Sequence, residues 1–415
     1  MKLRVPYLDR ELDLEIPQEN LLAVLEPNEA RGGDHSPAAL VAAAVARPLD
    51  GPPFAEFLQP AKRLLVIVND ATRPTPTPAI LDAIGDQIEA RDARFLVATG
   101  AHRGPTEVEY RQILGRHYER FRRRIEAHDC RDGANLVDLG RTRNGTPILL
   151  NRALIEADRV VATGSVEPHY FAGYTGGRKA FLPGVAGFET VQANHRLALD
   201  PRATSLALAD NPVSQDMDDA LRLIPAHIFS LMTVLDKSQG LAGCFAGDIR
   251  TSFAAAVEMA KAVFAVRLRA RADIVISIAR HPMDIDLYQA QKAIDNGALA
   301  LADGGILLLV ASCRDGVGDR AYIELLGSSG SPGKAMKRIS EGYRLGYHKA
   351  AKIAQVASRA SLRAISELDA ATLKMAFIEK KHSLQDAFSE ALAEKGPGAR
   401  VAVLLDGTVT VPLID

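Results

Sequence analysis

The chain has no tryptophan and only three cysteines in 415 residues, Cys130, Cys244 and Cys313, far apart and odd in number. That spacing excludes a disulfide framework and any Cys-x-x-Cys zinc site. A charge excess is missing too: 50 Lys and Arg stand against 51 Asp and Glu, for a net charge of -1. No global attraction to nucleic acid or to an anionic membrane follows, and neither is expected as a partner. Apolar runs such as residues 306–311 are too short to cross a bilayer, and residues 1–17 lack the apolar core of a signal peptide. A soluble cytoplasmic protein is the expectation. The 32 glycines and 22 prolines are an ordinary share, which excludes a collagenous or disordered chain. At about 150 residues per domain, the length predicts two or three domains.

Alternating apolar positions at Leu3 and Val5, and again at Leu12, Leu14 and Ile16, predict two short strands. Continuous apolar runs follow at residues 64–68, 95–98, 160–162 and 231–235, with helical patterns between them, notably 79–90 and 107–127. Strands buried on both faces and alternating with helices predict an α/β fold with mostly parallel sheets. A second series of such runs occupies residues 273–279, 306–311, 373–378 and 400–405. Between the series, residues 266–272 (VRLRARA) read as a linker or a solvated helix end. The domains are therefore drawn as 1–268 and 269–415. A small repeat, VATG at 97–100 and 161–164, suggests two similar strand-to-loop exits.

Ligands of open α/β sheets bind beyond the carboxyl ends of the strands. Three predicted strands of the first domain run into polar chemistry there: NDATRP (69–74), TGAHR (99–103) and TGSVEPH (163–169). In a parallel sheet these place Asp70, Arg73, His102 and His169 at one crevice. Pro74 biases Arg73 toward an extended backbone, suited to a guanidinium reaching for a carboxylate or phosphate. Asp70 reads either as a partner for a ribose hydroxyl or as a cap of the helix after Pro78. In FAGYTGGRKAFLPGVAG (171–187), Gly176 and Gly177 permit close backbone approach and an anion cradle, although this is no Walker loop. Lys179 lies among Phe171, Ala180 and Phe181, a setting for a nucleophilic amine or for a snorkelling side chain. Residues 188–199 predict a helix with Phe188, Val191, His195 and Leu199 on one stripe. In the second domain Leu287, Ala290, Ile294, Ala298 and Leu301 form a buried helical stripe. Tyr288, Gln289 and Lys292 share its exposed first turn, and Asp286 with Gln289 fits a capping box. A hydroxyl, an amide and an ammonium there suit a carboxylate.

Taken together, NDATRP, TGAHR, EPHYFAGYTGGRKAFLPG (167–184), ANHR (193–196) and DLYQAQKA (286–293) resemble the nickel-pincer lactate racemases and their 2-hydroxyacid racemase and epimerase relatives, in order and in spacing. The resemblance implies two α/β domains with an interdomain active-site cleft. It implies a nickel-pincer nucleotide, nickel pyridinium-3,5-bisthiocarboxylic acid mononucleotide, made by cofactor-synthesis enzymes that would be transient partners. Lys179 matches the lysine tethering it, and His195 the histidine completing the nickel coordination. A single imidazole beside a soft planar pincer suits square-planar Ni(II). Asp70, Thr72, Thr175, Gly176, Gly177 and Arg178 would hold its phosphate and ribose. His102 and His169 match two acid–base histidines, and Arg73, Tyr288, Gln289 and Lys292 match substrate-binding residues. The implied reaction removes hydride from C2 of a 2-hydroxy acid and returns it to the other face of the 2-keto acid, a histidine handling the hydroxyl proton on each side. Lactate-specific members carry a tryptophan near the substrate, so its absence here points to a different 2-hydroxy acid.

Two other readings compete. A pyridoxal phosphate enzyme would use Lys179 as a Schiff base and needs an acidic partner for the ring nitrogen. A non-catalytic carrier or maturation protein for the pincer nucleotide would have no use for the pair His102 and His169.

Overall fold

A computed structural model describes residues 1–30 and 36–415. Two compact units divide the chain: Glu29–Val263, and Met1–Asn28 together with Phe264–Asp415. The chain thus starts in the unit where it ends. Strands β1 (Lys2–Tyr7) and β2 (Arg10–Glu15) form the expected hairpin, whose alternation buries Val5, Tyr7 and Leu14. Strand β3 (Leu21–Leu25) follows.

The first complete unit runs from α1 (Pro37–Ala46) and α2 (Phe54–Leu58) to β4 (Leu64–Asn69), α3 (Thr77–Glu89), β5 (Arg94–Ala98), α4 (Glu107–Leu114), α5 (Tyr118–Phe121) and β6 (Ile125–Ala127). A hairpin of β7 (Leu136–Arg141) and β8 (Pro147–Asn151) leads through α6 (Arg152–Glu156) to β9 (Arg159–Ser165). Then come the short pair β10 (Pro168–His169) and β11 (Gly173–Tyr174), α7 (Phe188–Arg196), α8 (Pro212–Arg222), β12 (His227–Leu235), β13 (Leu241–Asp248) and α9 (Ile249–Phe264). Six strands order as β13-β12-β9-β4-β5-β6, all parallel except β13. Residues 64–68 of β4 are buried because helices cover both faces of a parallel sheet. From β4 the chain winds one way to β5 and β6, then crosses back to β9 and β12. The reversal between β4 and β9 opens a crevice at their carboxyl ends.

In the other unit β14 (Ala265–Leu268) and β15 (Ala272–Ile278) precede α10 (Leu287–Ala300), β16 (Leu301–Val310), α11 (Arg320–Ser329), α12 (Pro332–Glu341) and α13 (Tyr347–Ala357). The chain finishes with β17 (Ser361–Ile365), α14 (Ala370–Met375), β18 (Ile378–Lys381), α15 (Leu384–Lys395), β19 (Val401–Leu404) and β20 (Val411–Ile414). Its parallel sheet orders as β18-β17-β16-β15-β19-β3.

Several expectations need correction. Residues 1–28 were assigned to the first domain, but β3 pairs with β19 and completes the other unit's sheet. Of residues 266–272, the span expected to be a linker or helix end, 266–268 belong to β14, which pairs with β20, and only 269–271 connect it to β15. The helix expected over 107–127 stops at Gly115, whose φ of 55° and closeness to Pro78 forbid a side chain there, and its end forms the edge strand β6. Residues 373–375 end helix α14 and 376–377 form a turn, the strand beginning only at Ile378. Strand β17 escaped notice because its five residues include Arg363, which is buried against Glu379 and Glu394. The two VATG exits also differ: β5 ends at Ala98, whereas β9 continues to Ser165 alongside β12.

Candidate active site

Three loops at the carboxyl ends of β4, β5 and β9 carry the polar residues of the Glu29–Val263 unit. After β4 the chain turns tightly, Arg73 N donating to Asp70 O at 3.2 Å. Asp70 Oδ1 accepts from the Thr72 amide at 3.2 Å and the Thr72 hydroxyl at 2.6 Å, which leaves the Asp70 carboxylate no freedom to rotate. Its Oδ2 faces His102 Nδ1 at 2.8 Å. Burial pushes the Asp70 carboxyl up, but His102, Thr72 and Arg73 outweigh it and hold it below the usual range. An ionised Asp70 therefore accepts and His102 Nδ1 donates, so the neutral tautomer of this half-exposed ring has its lone pair at Nε2. Asp70 acts on an imidazole, which neither sequence reading of it anticipated. The helix after Pro78 is not capped by it, Pro76 being the residue ahead of α3.

The β5 exit is tied to the segment of Lys179: Gly100 N donates to Gly184 O at 2.9 Å. Beneath it Thr99 Oγ1 donates to the His128 carbonyl at 2.6 Å. The His128 ring is buried, its Nε2 bonded to Ala186 O at 2.9 Å and its Nδ1 to Asn151 at 3.0 Å. Only a neutral imidazole serves both bonds, and burial accordingly lowers its pKa. Residues this far apart in sequence carry no motif that would have revealed the tie.

After β9, His169 pairs with Gly173 across β10 and β11, and its Nδ1 accepts the Ala172 amide at 3.2 Å. In the neutral ring the proton must then sit on Nε2, so His169 presents a donor where His102 presents an acceptor. Phe171 joins the remaining groups. Its ring lies 4.5 Å from that of His169 and 5.0 Å from that of His195, both edge-on, and Lys179 Nζ is 5.8 Å from its centre. His195 sits on α7 at the expected place in the stripe, and its Nδ1 is closed off from solvent. Burial first, then the Lys179 ammonium and His102, push its pKa down to about 3. The imidazole is consequently neutral, as a metal donor must be.

The expected phosphate cradle is largely occupied by the chain itself. The Thr175 amide donates to Glu167 O at 2.8 Å and its hydroxyl to Ser165 O at 2.8 Å. Gly177 N donates to Met232 Sδ at 3.0 Å, and Lys179 N to Gly176 O at 3.1 Å. Gly177 has a φ of 54° and packs so tightly on Phe253 that any side chain would collide. The Arg178 guanidinium turns away to α8, bonded to Ser214 at 2.8 Å, paired with Asp218 and stacked on Phe253. Of the six residues expected at the phosphate and ribose, Thr72 is the exposed one, while Gly176 is half-buried.

The nickel-pincer group can be tested against these side chains. Among the described residues no group of three His, Cys, Asp or Glu is gathered for a metal. Nickel here would need most of its donors from a cofactor, with one neutral imidazole, His195, and one amine, Lys179, flanking the same aromatic ring. That donor set fits a lysine-tethered soft pincer.

In the other unit α10 begins at Asp286, whose side chain accepts from Gln289 N at 2.7 Å, as the capping pattern predicted. Leu287, Ala290, Ile294 and Ala298 are buried, and Tyr288, Gln289 and Lys292 lie on a half-buried face of the first turns. Leu301, expected on that stripe, opens β16 instead. Tyr288 packs edge-on against Tyr322 at 5.6 Å, and burial pushes its hydroxyl up to about 12. It therefore stays a neutral donor at any working pH.

Fold and side chains define an α/β enzyme whose polar groups, two imidazoles with opposite partners at Nδ1 among them, collect at strand carboxyl ends. The lactate racemase N-terminal domain family matches residues 7–205 and the lactate racemase C-terminal domain family residues 268–411. Over 348 residues the chain is 29% identical to the lactate racemase of Thermoanaerobacterium thermosaccharolyticum, covering 81% of this chain and 80% of that one. Over 416 residues it is 28% identical to the lactate racemase of Lactiplantibacillus plantarum, covering 97% of each. Its structure matches the lactate racemase apoprotein of Thermoanaerobacterium thermosaccharolyticum with a TM-score of 0.93 at 26% identity, over 100% of both chains. A Thermotoga maritima protein shares the fold, with a TM-score of 0.70 at 16% identity over 92% of this chain and 100% of that one. The chain belongs to the lactate racemase family and is an isomerase, a racemase or epimerase. No helix among the described residues is long and apolar enough to cross a membrane.

Proposed function

We propose that the protein inverts C2 of a 2-hydroxy acid by removing and returning hydride, with a nickel-pincer nucleotide tethered to Lys179. The observation that carries this reading is the contrast between the two histidines. In the neutral tautomers their partners select, His102, fixed by Asp70, has a lone pair at Nε2, while His169, accepting the Ala172 amide at Nδ1, has a proton at Nε2. Inversion through a planar 2-keto acid needs a proton taken from the hydroxyl on one side and returned on the other. One neutral histidine of each tautomer suits that need.

When bound, the nickel-pincer nucleotide supplies a hydride acceptor. Lys179 would hold it covalently, His195 would ligate its metal, and Thr72 would contact the nucleotide. In the Glu29–Val263 unit Arg73 offers a guanidinium suited to a substrate carboxylate; in the other unit Tyr288, Gln289 and Lys292 offer a hydroxyl, an amide and an ammonium suited to the same chemistry. Phe171 packs against His169, His195 and Lys179. With no tryptophan in the chain, we assign a 2-hydroxy acid other than lactate as the preferred substrate. The test is a panel of single enantiomers, lactate included, given to enzyme produced together with cofactor-synthesis enzymes and resolved by chiral chromatography. Interconversion of at least one larger 2-hydroxy acid, faster than of lactate, is expected. Loaded enzyme that interconverts none would overturn the function, and a clear preference for lactate would overturn the substrate assignment.

A further inference from the structure

Helix α13 carries a charged residue in phase with its apolar face. Lys349, Ile353 and Val356 recur at i, i+4 and i+7, and all three are buried, Lys349 to 2% exposure. Burying an ammonium is costly unless it is paired and hydrogen-bonded, and a methionine would fill similar space without that cost. The Lys349 ammonium lies under the first turn of α10. Its Nζ donates to the Tyr288 carbonyl and sits 4.0 Å from the centre of the Tyr288 ring. Gln291 Nε2 donates back to the Lys349 carbonyl at 2.9 Å, so the two helices are bonded in both directions. Asp295 supplies the counter-charge from the next turns of α10, on the stripe that also bears Tyr288 and Lys292. Burial lowers the Lys349 amine and raises the Asp295 carboxyl, each opposed by attraction to the other.

We propose that Lys349 is a positioning residue for the substrate-carboxylate turn, fixing Tyr288 through its carbonyl and ring and adding a second positive charge behind Lys292. The proposal rests on the assignment of Tyr288, Gln289 and Lys292 to substrate binding. Asp286 already occupies the amino end of α10 and takes the Gln289 amide, so the helix end presents a carboxylate rather than a bare anion site. An incoming carboxylate is held only where the negative charge of Asp286 and Asp295 is offset. Lys292 alone leaves one carboxylate in excess, and Lys349 brings the four charges to neutrality.

The charged groups around Lys349 are Asp286, Lys292 and Asp295 of α10 and Lys352 of its own helix. On neighbouring elements, Asp319 caps α11 and Arg338 of α12 is bonded to Ser328 and Ser329. Arg363 of β17 is paired with Glu379 and Glu394. Asp295 is thus the group whose removal most directly favours the neutral amine.

The test uses the full chain with Lys349→Met and, separately, Asp295→Asn. In Lys349→Met, amide hydrogen exchange over residues 286–292 should quicken about tenfold, reflecting one lost charge-assisted bond. The KM of loaded enzyme for its 2-hydroxy acid should rise about tenfold, with kcat changed by less than about threefold. In Asp295→Asn the rise of KM with pH should set in at a lower pH than in the wild type, because the buried Lys349 amine, already lowered to about 7, loses the carboxylate that raises it. A purely structural lysine would not produce that pH dependence. Folded Lys349→Met with unchanged exchange and KM would overturn the proposal, as would a flat KM profile in Asp295→Asn. Should Lys349→Met fail to fold, Asp295→Asn decides alone. Wild-type enzyme that turns over no 2-hydroxy acid would refute the functional assignment, while the exchange experiment would still decide whether Lys349 fixes the turn.

Discussion

Replacing Asp70 by asparagine removes one oxygen's charge and almost no volume, yet it should disable His102. The carboxylate bridges two residues: Oδ1 takes the Thr72 amide and hydroxyl, and Oδ2 takes His102 Nδ1 at 2.8 Å. An asparagine can satisfy only one side with its oxygen. With the oxygen toward His102, its NH2 would meet the Thr72 amide donor to donor in a pocket only 8% exposed. With the oxygen toward Thr72, its NH2 donates to His102 Nδ1 and the ring proton moves to Nε2. The base then has no lone pair where the substrate hydroxyl must arrive. General acid–base catalysis contributes about 10²- to 10⁴-fold, so kcat should fall about 10²- to 10³-fold, equivalent to about 2.7–4.1 kcal/mol in the barrier. KM should change by less than about threefold. The assay follows each enantiomer by chiral chromatography and normalises rates to cofactor-loaded protein measured by intact mass. Asp70→Asn that keeps kcat within about threefold would refute the orienting role. A loss of loading at unchanged rate per loaded chain would instead return Asp70 to the ribose.

Three further outcomes are expected. Lys179→Arg should fold normally but show no covalent mass increment when made beside cofactor-synthesis enzymes; an increment on the variant would mean the tether lies elsewhere. Gly177→Ala forces a φ of 54° on an alanine and brings its Cβ to 2.5 Å from the Phe253 ring, costing about 2–4 kcal/mol in urea unfolding. A loss below about 1 kcal/mol would show that the turn yields. His128, held neutral by Ala186 and Asn151, has a folded pKa below its unfolded value. The unfolded chain then binds the extra proton, so stability is complete above about pH 6.5 and falls as the pH drops beneath it. His128→Gln should flatten that limb, and an unchanged slope would assign it to other groups.

Much of this architecture is legible in residues that alternate or run continuously. The buried β4, β5, β9 and β15 stand out because parallel strands covered on both faces leave apolar runs. The polar strand exits stand out because only there do Asp, His and Arg follow such runs. Long-range pairing leaves no such mark. Nothing local announces that β3 joins β19, or that residues 265–268 lie beside β20. The site divides in the same way. His102, His169, Lys179 and His195 are visible as side chains in a motif, but the Asp70–His102 bond and the Phe171 hub exist only once three loops converge. The GGRK backbone shows the reverse error. Its glycines suggest an anion cradle, whereas Gly177 serves a close approach to Phe253. Lys349 left a detectable signal, a lysine in register with Ile353 and Val356, but its meaning depends on which helix lies above it.

The most direct test of the proposed chemistry is the fate of the hydrogen at C2. A single enantiomer of a 2-hydroxy acid that the loaded enzyme interconverts, deuterated at C2, is racemised in ordinary water, and its inverted product is analysed by mass spectrometry. Hydride removal and return predict that the inverted enantiomer keeps its deuterium while His102 and His169 exchange only the hydroxyl proton. Replacement by solvent hydrogen at C2 in step with inversion would contradict the account, because it would mean a proton, not a hydride, leaves that carbon.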